Sequence, residues 1–139
     1  MLGVFGVTVG ARMQNIILYS DRASVIRRTT QTSDPSGAYV IGGLVAVVYN
    51  YDGTAGDAIN NCAIAGYKIV DDSQNTLIQG GANIGGLIGS CGVDITNCSA
   101  VCDIEVNCTH TKGHAQYGDY IHVGGLCGVL PGKASNCYT

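Results

Sequence analysis

Charge is the first thing this chain has little of. Only 12% of its 139 residues are Asp, Glu, Lys or Arg, against ~25% in an average soluble protein. Few charges mean few solvated faces, so much of the surface is expected to be shared with something else. The net charge is −3, which argues against nucleic-acid binding, where a basic patch is the rule. Arg27-Arg28 is the one basic pair and reads as a solvated turn. Proline is nearly absent, at 2 residues, and glycine shows no three-residue period, so collagen is excluded. No long apolar run exists. The longest, Val40 to Tyr49, is broken by Gly42-Gly43 and falls well short of the ~20 residues of a membrane-spanning helix. Met1-Leu2-Gly3-Val4-Phe5 has neither a basic n-region nor a cleavage signature, so no signal peptide is read there. Apolar spacing at i, i+3, i+4 and i+7 is missing too, which leaves strand as the regular structure expected.

What the chain has is hydrophobicity, glycine and repetition. Its 46% apolar content excludes disorder, and the length suits a single domain with its own core over 1–139. Glycine, 21 residues, is about twice the usual ~7% and is expected inside strands and at tight corners. A two-part unit recurs. Ile41-Gly42-Gly43-Leu44 precedes Ile59-Asn60-Asn61-Cys62. Ile84-Gly85-Gly86-Leu87 precedes Ile95-Thr96-Asn97-Cys98. Val123-Gly124-Gly125-Leu126 precedes Ala134-Ser135-Asn136-Cys137. A degenerate copy runs from Gly3-Val4-Phe5-Gly6 to Met13-Gln14-Asn15-Ile16.

Repeats of this length signal a solenoid, propeller or array. A propeller needs four antiparallel strands with hairpin turns per blade. Only two strong strand segments are visible per repeat here, Val40 to Tyr49 and Ile59 to Val70 in the second, and Asp52-Gly53 is the one hairpin dipeptide. The expectation is therefore an all-β solenoid of about three and a half coils: 1–38, 39–82, 83–120 and a partial 121–139. Like residues should then stack on like. Leu44, Leu87 and Leu126 form one expected ladder, with Phe5 at its end. Cys62, Cys98 and Cys137 form a second, ended by Ile16. Asn61, Asn97 and Asn136 form a third, with Asn15. Seven cysteines is an odd count, and three in equivalent slots point to packing as small hydrophobes rather than to bridging.

The Ile/Val-Gly-Gly-Leu-x-Gly and Ile-x-Asn-Cys motifs resemble the GLUG-type repeat of large bacterial surface and secreted proteins, including the non-catalytic repeat region of some immunoglobulin-cleaving proteases. The resemblance covers nearly all of the chain outside its loops. It departs from the pattern in long inserts and in Ala46 at the last glycine. It implies a right-handed parallel β-helix used for display or adhesion, and an extracellular or cell-surface location.

Arg27–Ala38, Asp71–Gly81 and Thr109–Tyr120 are inserts expected along one edge, which in repeat proteins is often the binding face. Tyr39, Tyr117 and Tyr120 lie at or near it, where aromatics suit carbohydrate or protein contact. Other chemistry is weaker. Cys108, His110, His114 and His122 match no standard zinc spacing. Asp52, Asp57 and Asp71-Asp72 lack the alternation of a calcium loop. Cys91 has no histidine nearby in sequence. Asp103 and Glu105 point outward on one strand, ~7 Å apart, without partners from neighbouring coils for glycoside cleavage. Asn97-Cys98-Ser99 and Asn107-Cys108-Thr109 fit the glycosylation pattern. No catalytic residue, metal or cofactor is assigned, and the chain is read as not an enzyme.

The ends carry the remaining inference. Neither shows the polar capping unit that solenoids normally need. The expected partners are another copy or flanking repeats of the same protein, joined end to end into a filament or array, and a host glycan or protein at the loops. A polysaccharide-binding or polysaccharide-cleaving β-helix is the alternative. Nucleic acid and membrane insertion are not expected.

Overall fold

A computed structural model describes residues 1–28, 39–49, 59–72, 82–107 and 120–139. All regular structure in them is strand. The first repeat contributes Leu2, β1 (Phe5–Val9), β2 (Met13–Gln14) and β3 (Ile17–Arg28). The second contributes β4 (Tyr39–Gly42), β5 (Val45–Tyr49), β6 (Ile59–Asn60) and β7 (Ala63–Asp71). The third contributes β8 (Ala82–Gly85), β9 (Ile88–Cys91), β10 (Ile95–Thr96) and β11 (Ser99–Val106). The last contributes β12 (Ile121–Gly124), β13 (Cys127–Val129) and β14 (Ala134–Ser135). These strands form four sheets, which we number 1 to 4: β4-β8-β12, β1-β5-β9-β13, β2-β6-β10-β14 and β3-β7-β11. Every pairing is parallel and joins equivalent strands of successive repeats. Leu2 bridges to Ile41, and Tyr138 to Ser99, in the same sense.

Four strands in each of the two middle repeats, not two, is a correction to the sequence reading, and the recurring motif explains it. Each long segment is broken by its own signature. Gly-Gly-Leu makes the corner between sheets 1 and 2. Gly43 N–H donates to Gly86 O at 3.0 Å, Leu44 N–H to Leu87 O at 2.9 Å, and Leu87 N–H to Leu126 O at 2.9 Å. The backbones stack so closely that a Cβ on Gly86 would lie 1.9 Å from Gly125 O, so no side chain fits there. Asn-Cys makes the corner between sheets 3 and 4. Asn15, Asn61, Asn97 and Asn136 all have positive φ, between 52° and 58°. That left-handed conformation costs most L-residues ~1–2 kcal/mol, and asparagine tolerates it best after glycine. The amides also bond along the stack: Asn61 Nδ2 to Asn15 Oδ1 at 2.8 Å and Asn136 Nδ2 to Asn97 Oδ1 at 3.3 Å. Asn97 departs from the expected ladder and donates to Asn60 Oδ1 at 3.2 Å.

The core follows the ladders. Leu44 and Leu87 are fully buried, with Ile41, Ile59, Ile64, Ile84, Ile88 and Ile95. Leu126, in the last repeat, is half-buried and packs against them. Residues Val45 to Val48 are buried on both faces of β5, as strands in covered parallel sheets are. Phe5 is not in the leucine slot. It pairs with Val45, which places Val4 beside Leu44. Sheet 4 slips register once. Residues 20–23 of β3 lie between the partners of Ala65 and Tyr67, where β7 has Gly66 alone and β11 has nothing. Gly66 has φ +77°, and a Cβ there would meet Ser20 O at 2.0 Å. Across this bulge the inward alternation shifts by one residue, from Ile64 before it to Ile69 and Asp71 after it.

Leu87→Ala should lower unfolding free energy by about 2–5 kcal/mol, and Leu126→Ala by clearly less, in urea titrations. Asn97→Val should cost about 1–2 kcal/mol through its φ, with Asn97→Gly much nearer neutral.

Candidate functional site

Two clusters of polar side chains stand out, one where the ends of β3 and β7 in sheet 4 meet the start of β4, the other along β7 and β11. The first joins Arg28, Tyr39 and Asp71. Arg28 and Asp71 are register partners, and their side chains lie 3.6 Å apart. The Asp71 carboxylate is fully buried and accepts the Tyr39 hydroxyl proton. The Arg28 guanidinium sits 3.7 Å from the centre of the Tyr39 ring, a distance that favours cation–π attraction. Arg27 pairs with Asp72 at 3.1 Å in the more exposed layer. A buried carboxylate costs several kcal/mol unless paired and hydrogen-bonded; here both conditions hold, and the cluster fastens the end of β3 to the start of β4 and the end of β7.

Two sequence expectations change as a result. Arg27-Arg28 is strand, not a solvated turn, and both arginines are ion-paired. Tyr39 is 4% exposed and does not belong to an exposed binding edge. Its hydroxyl is turned to Asp71 because an inward acid needs a donor. Asp71, read as the first residue of a loop, is the last of β7. The bulge at Gly66 concealed this by shifting the alternation that would have marked it as inward.

The second cluster is Lys68, Asp103, Glu105 and Asn107. Glu105 binds the Lys68 ammonium and accepts from Asn107 Nδ2 at 2.6 Å. The Lys68 hydrogen bond, with the one from Asn107, holds the Glu105 carboxyl below its ordinary range. A general acid for glycoside cleavage needs the opposite shift. Asp103 is exposed beside its register partner Lys68. This pair therefore forms a charged rail on the outer face of sheet 4.

The cysteines are core groups. Cys62, Cys91 and Cys98 are buried, and Cys102, Cys127 and Cys137 half-buried; all six are free thiols. Cys62 Sγ lies 3.5 Å from Met13 O, Cys98 Sγ 3.6 Å from Ile59 O, and Cys137 Sγ 3.9 Å from Ile95 O. Each thiol thus sits on the strand one repeat earlier. The hydrogen bond between Cys62 and Cys98 splits the pair, drawing Cys62 down to about 7 and pushing Cys98 up. Cys91 and Cys127 form a second such pair, again with one lowered and one raised.

Of the other expected residues, Tyr120 is exposed and stacks on His122 at 4.6 Å. His122 Nδ1 lies 3.0 Å from Asn83 Oδ1. Tyr117, Cys108, His110, His114, Asp52 and Asp57 lie outside the described residues. Among the described residues no group of three or more His, Cys, Asp or Glu could hold a metal ion, and no helix is long and apolar enough to cross a membrane. The Asn97-Cys98-Ser99 acceptor lies at a corner where Asn97 is exposed but bonded to Asn60.

Tyr39→Phe should cost about 1–3 kcal/mol, because it removes a donor from a buried carboxylate; urea denaturation measures it. Alkylation by iodoacetamide, read by peptide mass spectrometry, should label Cys137 before Cys62, Cys91 or Cys98 in the native protein, with all four equal after denaturation. Comparison with protein-family models, with curated proteins and with solved structures finds no match.

Proposed function

We propose that the four sheets close on one another as a right-handed parallel β-helix. The chain is then a non-catalytic structural or adhesive segment whose ends stack on further rungs of the same kind. Closure is supported by the strand order: the second and third repeats each visit sheets 1 to 4 in turn, and successive repeats lie one strand along in each sheet. Crossovers between parallel strands are right-handed almost without exception.

The carrying observation is the apolar character of both ends. Val123 is 50% exposed, whereas its ladder partners Ile84 and Ile41 are at 0%. Phe5 is 41% exposed, whereas Val45 and Ile88 are at 0%. Val7, Ile17, Tyr19, Ile121 and Tyr138 are exposed in the same end repeats. A solenoid end designed to face water is polar, and open parallel edges otherwise invite uncontrolled pairing. Further rungs would satisfy both the apolar ladders and the unpaired backbone. Stacking of this head-to-tail kind is heterologous and leads to open filaments or arrays. The likeness of the Gly-Gly-Leu and Asn-Cys units to GLUG-type repeats supports display at a cell surface, with host glycan or protein contact at the inserts. Tyr120 stacked on His122 is the residue pair that favours glycan contact.

Sedimentation velocity over a concentration series should show growing assemblies, and negative-stain images should show rods. Phe5→Asp and Val123→Asp should each hold the protein monomeric while leaving its β-sheet circular dichroism intact. A monodisperse wild-type monomer at every concentration overturns the stacking.

A further inference from the structure

The asparagine-cysteine corner stacks thiols as well as backbone. Asn60 and Thr96 are register partners before the corner, and Ala63 and Ser99 after it. Ser99 N–H donates to Cys62 O at 3.0 Å across the same step. Cys62 and Cys98 are therefore opposed one strand spacing apart, ~4.8 Å. That falls within the ~4.4–6.8 Å between Cα atoms that a disulfide spans. Their thiols are held alike. Cys62 Sγ lies 3.4 Å from Asn60 O and Cys98 Sγ 3.2 Å from Thr96 O, each the carbonyl two residues back. The two sulfurs thus stand one above the other, and a hydrogen bond joins them. Both corners follow inner strands of sheet 3, β6 and β10, so the pair does not depend on what lies at either end of the stack.

The pair is inside the protein yet close to water. Cys62 and Cys98 are fully buried, but the residue before each, Asn61 or Asn97, is exposed. A reagent little larger than water has one layer of side chains to cross. The hydrogen bond from Cys98 draws Cys62 down to about 7, so a share of it is thiolate, the reactive form, at neutral pH. Cys98, pushed up chiefly by the same bond, keeps its proton. The other inner thiols lack this arrangement. Cys91 and Cys127 are hydrogen-bonded, but Cys127 is the register partner of Ile88, three residues before Cys91, so their backbones are not opposed as a disulfide requires. Cys102 faces Tyr67 across the rung, not a thiol.

We propose that Cys62 and Cys98 are an oxidation site, at which hydrogen peroxide closes a disulfide that braces the second rung to the third. The Cys62 thiolate attacks one peroxide oxygen. The O–O bond breaks, hydroxide leaves and takes up the proton lost from the thiol as water, and Cys62 becomes a sulfenic acid. The Cys98 sulfur then attacks the Cys62 sulfur. An S–S bond forms, the S–O bond breaks, and the hydroxide leaves with the Cys98 proton as a second water. Two thiols give up two electrons and one peroxide takes them. The link ties down the whole chain between the two residues, which removes freedom from the unfolded state. The inference rests on the register of sheets 3 and 4, and neither on closure of the coil nor on stacking of its ends.

The test treats the reduced, folded protein with hydrogen peroxide, blocks remaining thiols with N-ethylmaleimide in urea, and maps disulfides by peptide mass spectrometry without reduction. Cys62–Cys98 should be at least about tenfold more abundant than any other link to Cys62, because no other thiol is opposed to it. Oxidised wild type should show a higher urea midpoint than reduced wild type, and dithiothreitol should reverse the gain. In a Cys98→Ala variant with wild-type circular dichroism, Cys62 should form no link to another cysteine of the chain. Cys62 left free in oxidised, folded wild type overturns the proposal, as does a Cys98–Cys137 link in its place. So does the same preference for Cys62–Cys98 in the urea-unfolded chain, since sequence and not the ladder would then select the pair. A urea midpoint unchanged or lowered by the link overturns the brace.

Discussion

Every strand described in this protein spends its backbone hydrogen bonds on the strand one repeat away. Among the described residues no strand folds back as a hairpin on its sequence neighbour. That constraint reaches most of the other features. Repeats must superpose rung on rung, so side chains at one position meet their own equivalents, and a residue acceptable once must be acceptable three or four times over. Corners must superpose as well. At one corner only glycine leaves room, because Gly86 lies against the carbonyl of Gly125. At the other the backbone takes a left-handed step, and asparagine both tolerates the step and bonds along the stack. Glycine and asparagine in the motif thus make the corners, and its leucine and cysteine fill the core.

The same constraint explains where the apolar residues become exposed. A rung in the middle is covered above and below, and its Ile84 or Val45 is sealed. A rung at the end has the same kind of residue and no cover. The contrast between Val123 and Ile84, which share a ladder, owes nothing to local sequence and everything to position in the stack. It is also why charge can be so scarce in this chain. Apart from the Arg28–Tyr39–Asp71 fastening and the rail on sheet 4, the described structure has little use for it.

Much of this was legible in the sequence, because ladders are written as repetition. The leucine, cysteine and asparagine slots could be aligned by eye, and the all-parallel β organisation followed from their spacing. What could not be read was whatever broke the repetition. The corners were hidden inside segments that look continuously extended, since a single left-handed asparagine leaves the apolar alternation almost undisturbed. Gly66 and residues 20–23 add different lengths of chain to equivalent strands, which breaks the alternation along β7 and made Asp71 look like the start of a loop. Tyr39 was placed at an exposed edge because nothing in the sequence announces that Arg28 and Asp71 are register partners beneath it.

Native-state hydrogen exchange read residue by residue by NMR tests the stacking of repeats most directly. On this account the amides of Leu44 and Leu87, each bonded to the next rung, exchange slowly. Along β11 protection alternates, with Asn107 slow and Cys102, Ile104 and Val106 fast, while β7, paired on both sides, is protected on either side of Gly66, which has no register partner. Fast exchange at Leu44 and Leu87, or even protection along the whole of β11, would contradict it.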